Sequence, residues 1–135
     1  MTTRRTAITT LLAAAGATLL AACESTVARL RGWRLVPIAK TSQVPAGSAY
    51  RTTHGDDPLI VVNDGREIRT FLAVCTHEGC PLGWNPTQHL IRCPCHGSAF
   101  DTRGRVVNGP AALPLTRLDT IIEGETILLV ERRTD

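Results

Sequence analysis

Residues 91–101 read IRCPCHGSAFD, which places Cys93 and Cys95 one residue apart with His96 directly after them. Residues 74–80 read VCTHEGC and supply the same ingredients, Cys75, His77 and Cys80. Each short segment therefore carries two thiols and one imidazole, side chains that can hold a metal.

The flanking sequence is punctuated like a series of short strands. Turn signals recur at VPAGS, HGDDP, NDG, DTRG, NGP and EGE, and no ten-residue helical pattern survives between them. PLIVVNDGREIRTFLAV (58–74) reads as a hairpin joined at Asn63-Asp64-Gly65, and TIIEGETILLVER (120–132) repeats the plan around Glu123-Gly124. Leu59 and Val61 on one hairpin and Ile127 and Leu129 on the other supply apolar faces. The expected fold is all-β, a small antiparallel sandwich or barrel. Both Cys/His segments then fall in loops, 75–80 after the strand ending near Val74 and 93–98 after the short strand HLIR. A rigid β scaffold commonly carries its chemistry there.

A chain of 135 residues has room for one small core and excludes a large multidomain enzyme. With Arg4 and Arg5 set aside, 13 Lys/Arg face 12 Asp/Glu, which gives no basis for nucleic-acid binding. Those two arginines open the leader MTTRRTAITTLLAAAGATLLAAC, whose charged, apolar and small-residue parts are those of an export signal of the twin-arginine (Tat) type. Its apolar part is shorter than the roughly twenty residues a spanning helix needs, so a retained anchor is the second reading. Leu20-Ala21-Ala22-Cys23 resembles a lipobox. Acylation of Cys23 would account for the one cysteine outside the two motif segments, while an ordinary cleavage site nearer Ala17 is the plain alternative. The expected organisation is a signal peptide over 1–22, a linker over 23–34 and one domain over 35–135. Arginines 29, 31 and 34 in the linker would suit an anionic lipid surface and equally a solvated linker.

Several chemistries are open to six sulfur and nitrogen donors. A structural zinc site of two Cys and two His is the simplest. Zinc-finger spacing, however, pairs Cys with Cys and His with His, and two cysteines are left without a role. A nucleophilic Cys93/His96 pair gives no reason for the second segment. The pattern C-T-H-x-G-C followed by C-P-C-H-G-S resembles the Rieske iron–sulfur proteins, in the disulfide-containing branch related to respiratory Rieske subunits. The resemblance runs from about Val36 to Val130 and matches both halves of the motif.

That resemblance implies one [2Fe–2S] cluster, with one iron held by Cys75 and Cys93 and the other by His77 and His96. It implies a disulfide between Cys80 and Cys95, which suits an oxidising compartment, and export in the folded state suits an inserted cofactor. By resemblance, His77 and His96 lie exposed at the tip of the cluster, and their second nitrogens couple reduction to proton uptake. Ser98 donates its hydroxyl to a bridging sulfide, and NGPAALPL (108–115) covers the cluster. Histidine in place of two thiolates leaves the oxidised centre neutral and raises its potential. Phe100 stands where high-potential relatives often carry a tyrosine that donates to a ligand sulfur, so a lower potential is expected. His54 and His89 are read as exposed or structural, Trp33 and Trp84 as packing residues, and Glu78 and Asp101 as solvated carboxylates.

The expected function is a single-electron carrier at the outer face of the cytoplasmic membrane, serving redox partner proteins or quinol. The first alternative is a Rieske subunit of a larger oxidoreductase, either a quinol-oxidising cytochrome complex or a molybdenum enzyme of the arsenite-oxidase type. A ferredoxin of a ring-hydroxylating oxygenase is disfavoured by the leader and the extra cysteine pair. A zinc-stabilised binding module is the reading from another class.

Overall fold

The run Leu59-Ile60-Val61-Val62 is apolar without a break because its strand is covered on both sides. A computed structural model describes residues 32–133, and in it all four of these side chains are buried. Successive side chains of a strand point to opposite faces. Leu59 and Val61 therefore enter a cluster with Ile38, Val44, Ile127 and Leu129. Ile60 and Val62 enter another, with Phe71, Leu82, Ile91, Phe100, Cys75 and Cys93. Each such side chain contributes about 2 kcal/mol by leaving water.

Three antiparallel sheets surround these clusters. In the first, β1 (Trp33–Lys40), β10 (Thr120–Glu123) and β11 (Thr126–Arg132) take the order β1-β11-β10. The second runs β2 (Ser48–His54), β3 (Asp57–Asn63), β4 (Ile68–Leu72), β9 (Arg117–Leu118). The third runs β5 (Gly83–Asn85), β6 (Leu90–Arg92), β7 (Ala99–Phe100), β8 (Val106–Asn108). A short 3-10 turn, Thr41–Gln43, is the one helical element among the described residues. The all-β expectation is met. Both expected hairpins form, with Asn63 paired to Ile68 across a four-residue loop and Glu123 paired to Thr126 across a two-residue one. Residues 35–131 make up one compact unit.

The loop after β3 is closed by charge. Asp64 accepts the backbone N–H groups of Arg66 and Glu67 at 2.9 and 2.8 Å. Buried Arg69 donates to Asp64 and Glu67, and Arg117 on β9 donates to Glu67, each at 2.6 Å. The Arg69 guanidinium, aided by the two N–H groups, holds the Asp64 carboxyl far below its ordinary 3.8. A carboxyl depressed by folding stabilises the native state above its unfolded pKa, and that contribution disappears as pH falls toward the folded value. Asp64→Asn is therefore expected to cost about 2 kcal/mol at neutral pH. In urea melts, the gap from wild type should close progressively below about pH 4. A gap that is the same at both pH values would refute this assignment.

A second turn, 101–105, is organised by Asp101, whose Oδ1 accepts the N–H groups of Arg103 and Arg105 at 2.9 Å each, while Oδ2 accepts Nε of Arg105 at 2.8 Å. Asp101 is thus a turn anchor, and the expectation of a merely solvated carboxylate is corrected. The turn brings Gly104 against Phe71 with φ +77, and a Cβ there would stand 2.6 Å from the Phe71 ring. Gly104→Ala combines an unfavourable backbone region with a clash in a packed core. It should cost about 2–4 kcal/mol, read as a lowered melting temperature.

Candidate metal centre

The two Cys/His segments fold onto one backbone plan. In 75–80 the Cys75 N–H donates to the carbonyl of residue 80 and the Gly79 N–H donates back to the Cys75 carbonyl, at 2.8 and 2.9 Å. In 93–98 the Cys93 N–H donates to the carbonyl of residue 98 and the Gly97 N–H to the Cys93 carbonyl, at 2.8 and 3.2 Å. Cys75 and Cys93 are equivalent in these loops, and so are Cys80 and Ser98. The histidines are offset by one, His77 lying two residues after its cysteine and His96 three. Each loop is closed at its base by antiparallel pairing, the first through the isolated bridge of Val74 with Pro81 and the second through β6 and β7.

This geometry separates the four cysteines of the loops into two chemical kinds. Cys80 and Cys95 are joined by a disulfide, linking the loops across 15 residues of sequence. Cys75 and Cys93 remain free thiols and both are buried. Burial pushes the Cys75 thiol up, but the N–H of His77, the Cys93 thiol, the Ser98 hydroxyl and the N–H of Glu78 outweigh it and bring the thiol below its ordinary 9.0. The thiolate is the metal-binding form of cysteine. His77 and His96 are exposed, with ring centroids 5.1 Å apart and ring planes at 85°. Ring nitrogens of both lie within 4.8 Å of each other and of a Glu78 oxygen, and Glu78 reaches His96 Nδ1 at 3.6 Å. Two buried thiols and two neighbouring exposed imidazoles, carried by the same two loops, are a donor set whose chemistry fits a binuclear iron–sulfur group with nitrogen on one side.

A third loop closes over the pair. Ala111 and Leu115 are buried in the cluster that contains Cys75 and Cys93. Ala111 N–H donates to Ser98 Oγ at 3.0 Å, which leaves the hydroxyl hydrogen of the fully buried Ser98 free to turn toward sulfur. Two residues not anticipated from sequence fasten this loop. Thr76 donates its hydroxyl to the Leu113 carbonyl at 2.7 Å, and Asn108 Nδ2 donates to the Gly97 carbonyl at 3.2 Å. Their only sequence signal is a polar side chain next to a motif cysteine and one opening an NGP turn.

The other singled-out residues find structural places. His54 pairs with Glu131 at 2.7 Å. His89 lies before β6 at φ 52 in a turn, not at the start of the strand, and its ring meets Trp84 edge-on at 6.0 Å. Trp84 packs against the core. Trp33 is 44% exposed with the Arg132 guanidinium over its ring, which corrects its expected packing role. Phe100 is fully buried in β7. Cys23 and the leader lie outside the described residues.

An all-β scaffold presenting thiol and imidazole donors from two clamped loops is the kind of protein that can hold an iron–sulfur group. Residues 34–119 match the Rieske [2Fe-2S] domain, and the chain belongs to that family; its cofactor is one [2Fe–2S] cluster. It is 37% identical over 92 residues to the cytochrome b6-f complex iron-sulfur subunit of Chlorobaculum thiosulfatiphilum, covering 68% of this chain and 51% of that one. Against the same subunit of Prochlorococcus marinus (strain AS9601) the identity is 40% over 100 residues, covering 69% and 56%. The chain thus spans about half the length of these relatives. Among solved structures it resembles the cyanobacterial plasma membrane Rieske protein PetC3 from Synechocystis PCC 6803 (TM-score 0.61, 28% identity, 71% of this chain and 97% of that one). It also resembles the ferredoxin of carbazole 1,9a-dioxygenase from Nocardioides aromaticivorans IC177 (TM-score 0.59, 26% identity, 70% and 95%).

Proposed function

We propose that this chain is a single-electron carrier in which Cys75 and Cys93 hold one iron of the cluster and His77 and His96 the other. The observation that carries the reading is the sorting of four loop cysteines into one disulfide and two buried free thiols, with the imidazoles of the same two loops brought next to each other. The bound group supplies a one-electron couple. The protein's own part is to exclude water from the thiolate side through Ala111 and Leu115, to direct N–H and O–H donors at the sulfurs, and to leave the imidazole edges open to a partner. Hydrogen bonds to sulfur offset the negative charge gained on reduction, so Ser98 is assigned as a donor to a bridging sulfide.

Phe100→Tyr adds a hydroxyl in the same buried cluster as Cys75 and Cys93. A hydrogen bond of about 1 kcal/mol favouring the reduced state raises a one-electron potential by about 40 mV. A potential unmoved by the substitution, in a protein of unchanged stability, would rule out this account of residue 100. Redox titration of the wild type should show a reversible one-electron wave, and a redox-silent protein would exclude the carrier reading.

For location we propose Tat export through the leader over 1–22, acylation of Cys23, a linker over 23–34 and a cluster domain over 35–135, placing the carrier at the outer face of the cytoplasmic membrane. Its partners are then redox proteins or quinol. The second reading, a Rieske subunit of a larger oxidoreductase, is favoured by the similarity to cytochrome b6-f subunits. Co-migration with a cytochrome or another catalytic subunit on native gels of solubilised membranes would select it over a free shuttle.

A further inference from the structure

We propose that the groove beside the second cluster loop, whose lining includes neither His77 nor His96, docks a carboxylate-rich segment of a protein partner. The groove has a volume of about 890 Å³ and runs from Arg51 on β2, past Trp84 and Pro86, to Arg92, Cys93 and Pro94. Among the described residues no acidic one lines it. Arg69, Arg105 and Arg117 are each paired with carboxylates. Arg92 Nη1, by contrast, donates to the neutral Gln88 side chain at 3.3 Å, and neither Arg51 nor Arg92 has a carboxylate partner among the described residues.

Two unneutralised guanidinium groups on one concave surface attract carboxylates, and Arg binds them in a planar fork. The groove is far larger than one small anion, and its prolines and the packed Trp84 give it preformed walls, so an extended acidic segment is the occupant that fills it. Arg51 and Arg92 come from different sheets, and the groove exists only where those sheets meet beside Cys93. An occupant would lie against Cys93, Pro94 and Gly97 of the second loop. That this partner is a redox protein rests on the electron-carrier reading; the docking site itself does not.

The test uses the intact, cluster-loaded protein with two inert probes, a synthetic oligoglutamate peptide and hexacyanochromate(III). Binding is followed by nuclear magnetic resonance at the amides of Arg51 and residues 87 and 88. The expected result is peptide binding centred on these amides, weakened roughly fivefold by Arg51→Gln or Arg92→Gln alone and more by both, and weakened again by salt. Affinity unchanged in the double variant, perturbation centred on His77 and His96, binding of the small anion without the peptide, or self-association abolished by the same substitutions would each overturn it. An unaltered electron paramagnetic resonance signal in the variants shows that the cluster is intact. If the wild type itself lacks that signal, the carrier reading fails while the docking result still stands on its own measurement.

Discussion

Cys93→Ser is expected to yield a protein that folds but holds no cluster, with iron and acid-labile sulfide near zero and no reduced-state paramagnetic signal. Cys93 is buried and its backbone is fixed at both ends of its loop by the bonds to residues 97 and 98. A serine there keeps the volume but replaces a soft thiolate with a hydroxyl that does not ionise near neutral pH, and an iron–sulfur group relies on thiolate ligands. Cys75→Ser should behave alike, because the two loops present their first cysteines equivalently. Far-ultraviolet circular dichroism of a wild-type β character would show that the loss is one of ligation. A Cys93→Ser protein retaining full iron and sulfide would overturn the ligand assignment.

The second large effect concerns the disulfide. Closing a loop of about 15 residues removes unfolded-state freedom worth about 3 kcal/mol. For a folded region of roughly one hundred residues this corresponds to a melting temperature lower by about 12–24 °C when Cys80 and Cys95 are both changed to Ser. The two loops would also lose their covalent register, so the cluster should be released faster on warming. Cys95 is exposed, which makes the bond accessible to a thiol reductant. Dithiothreitol should therefore lower the wild-type melting temperature toward that of the double variant and leave the double variant unmoved. Equal melting temperatures for the two proteins without reductant would show that packing alone holds the loops.

Much of this architecture is local enough to be read from the chain. Alternation and turn residues announce the hairpins of β3 with β4 and β10 with β11. The motif cysteines and histidines come from residue types whose spacing few other sites share. The double-sided burial of β3 was half legible: Leu59 and Val61 read as a core face, while the equal burial of Ile60 and Val62 depends on a third sheet that local pattern does not reveal. His89 falls outside the strand HLIR because its positive φ belongs to the turn that precedes it. Asp101 and Thr76 carry little sequence signal, since a side chain that caps a turn or fastens a distant loop has the same composition as a solvated one. The pairing of Arg51 with Arg92 in one groove joins residues from separate sheets and is visible only once those sheets are assembled.

The central claim is that one iron carries sulfur from Cys75 and Cys93 and the other carries nitrogen from His77 and His96. Pulsed electron paramagnetic resonance of the dithionite-reduced protein, labelled with nitrogen-15 at histidine, tests it most directly. The account predicts a [2Fe–2S] signal with strong couplings from two histidine nitrogens, one of which disappears in a His96→Cys protein that still holds a cluster. A reduced cluster without histidine couplings, or a colourless protein containing zinc, would contradict it.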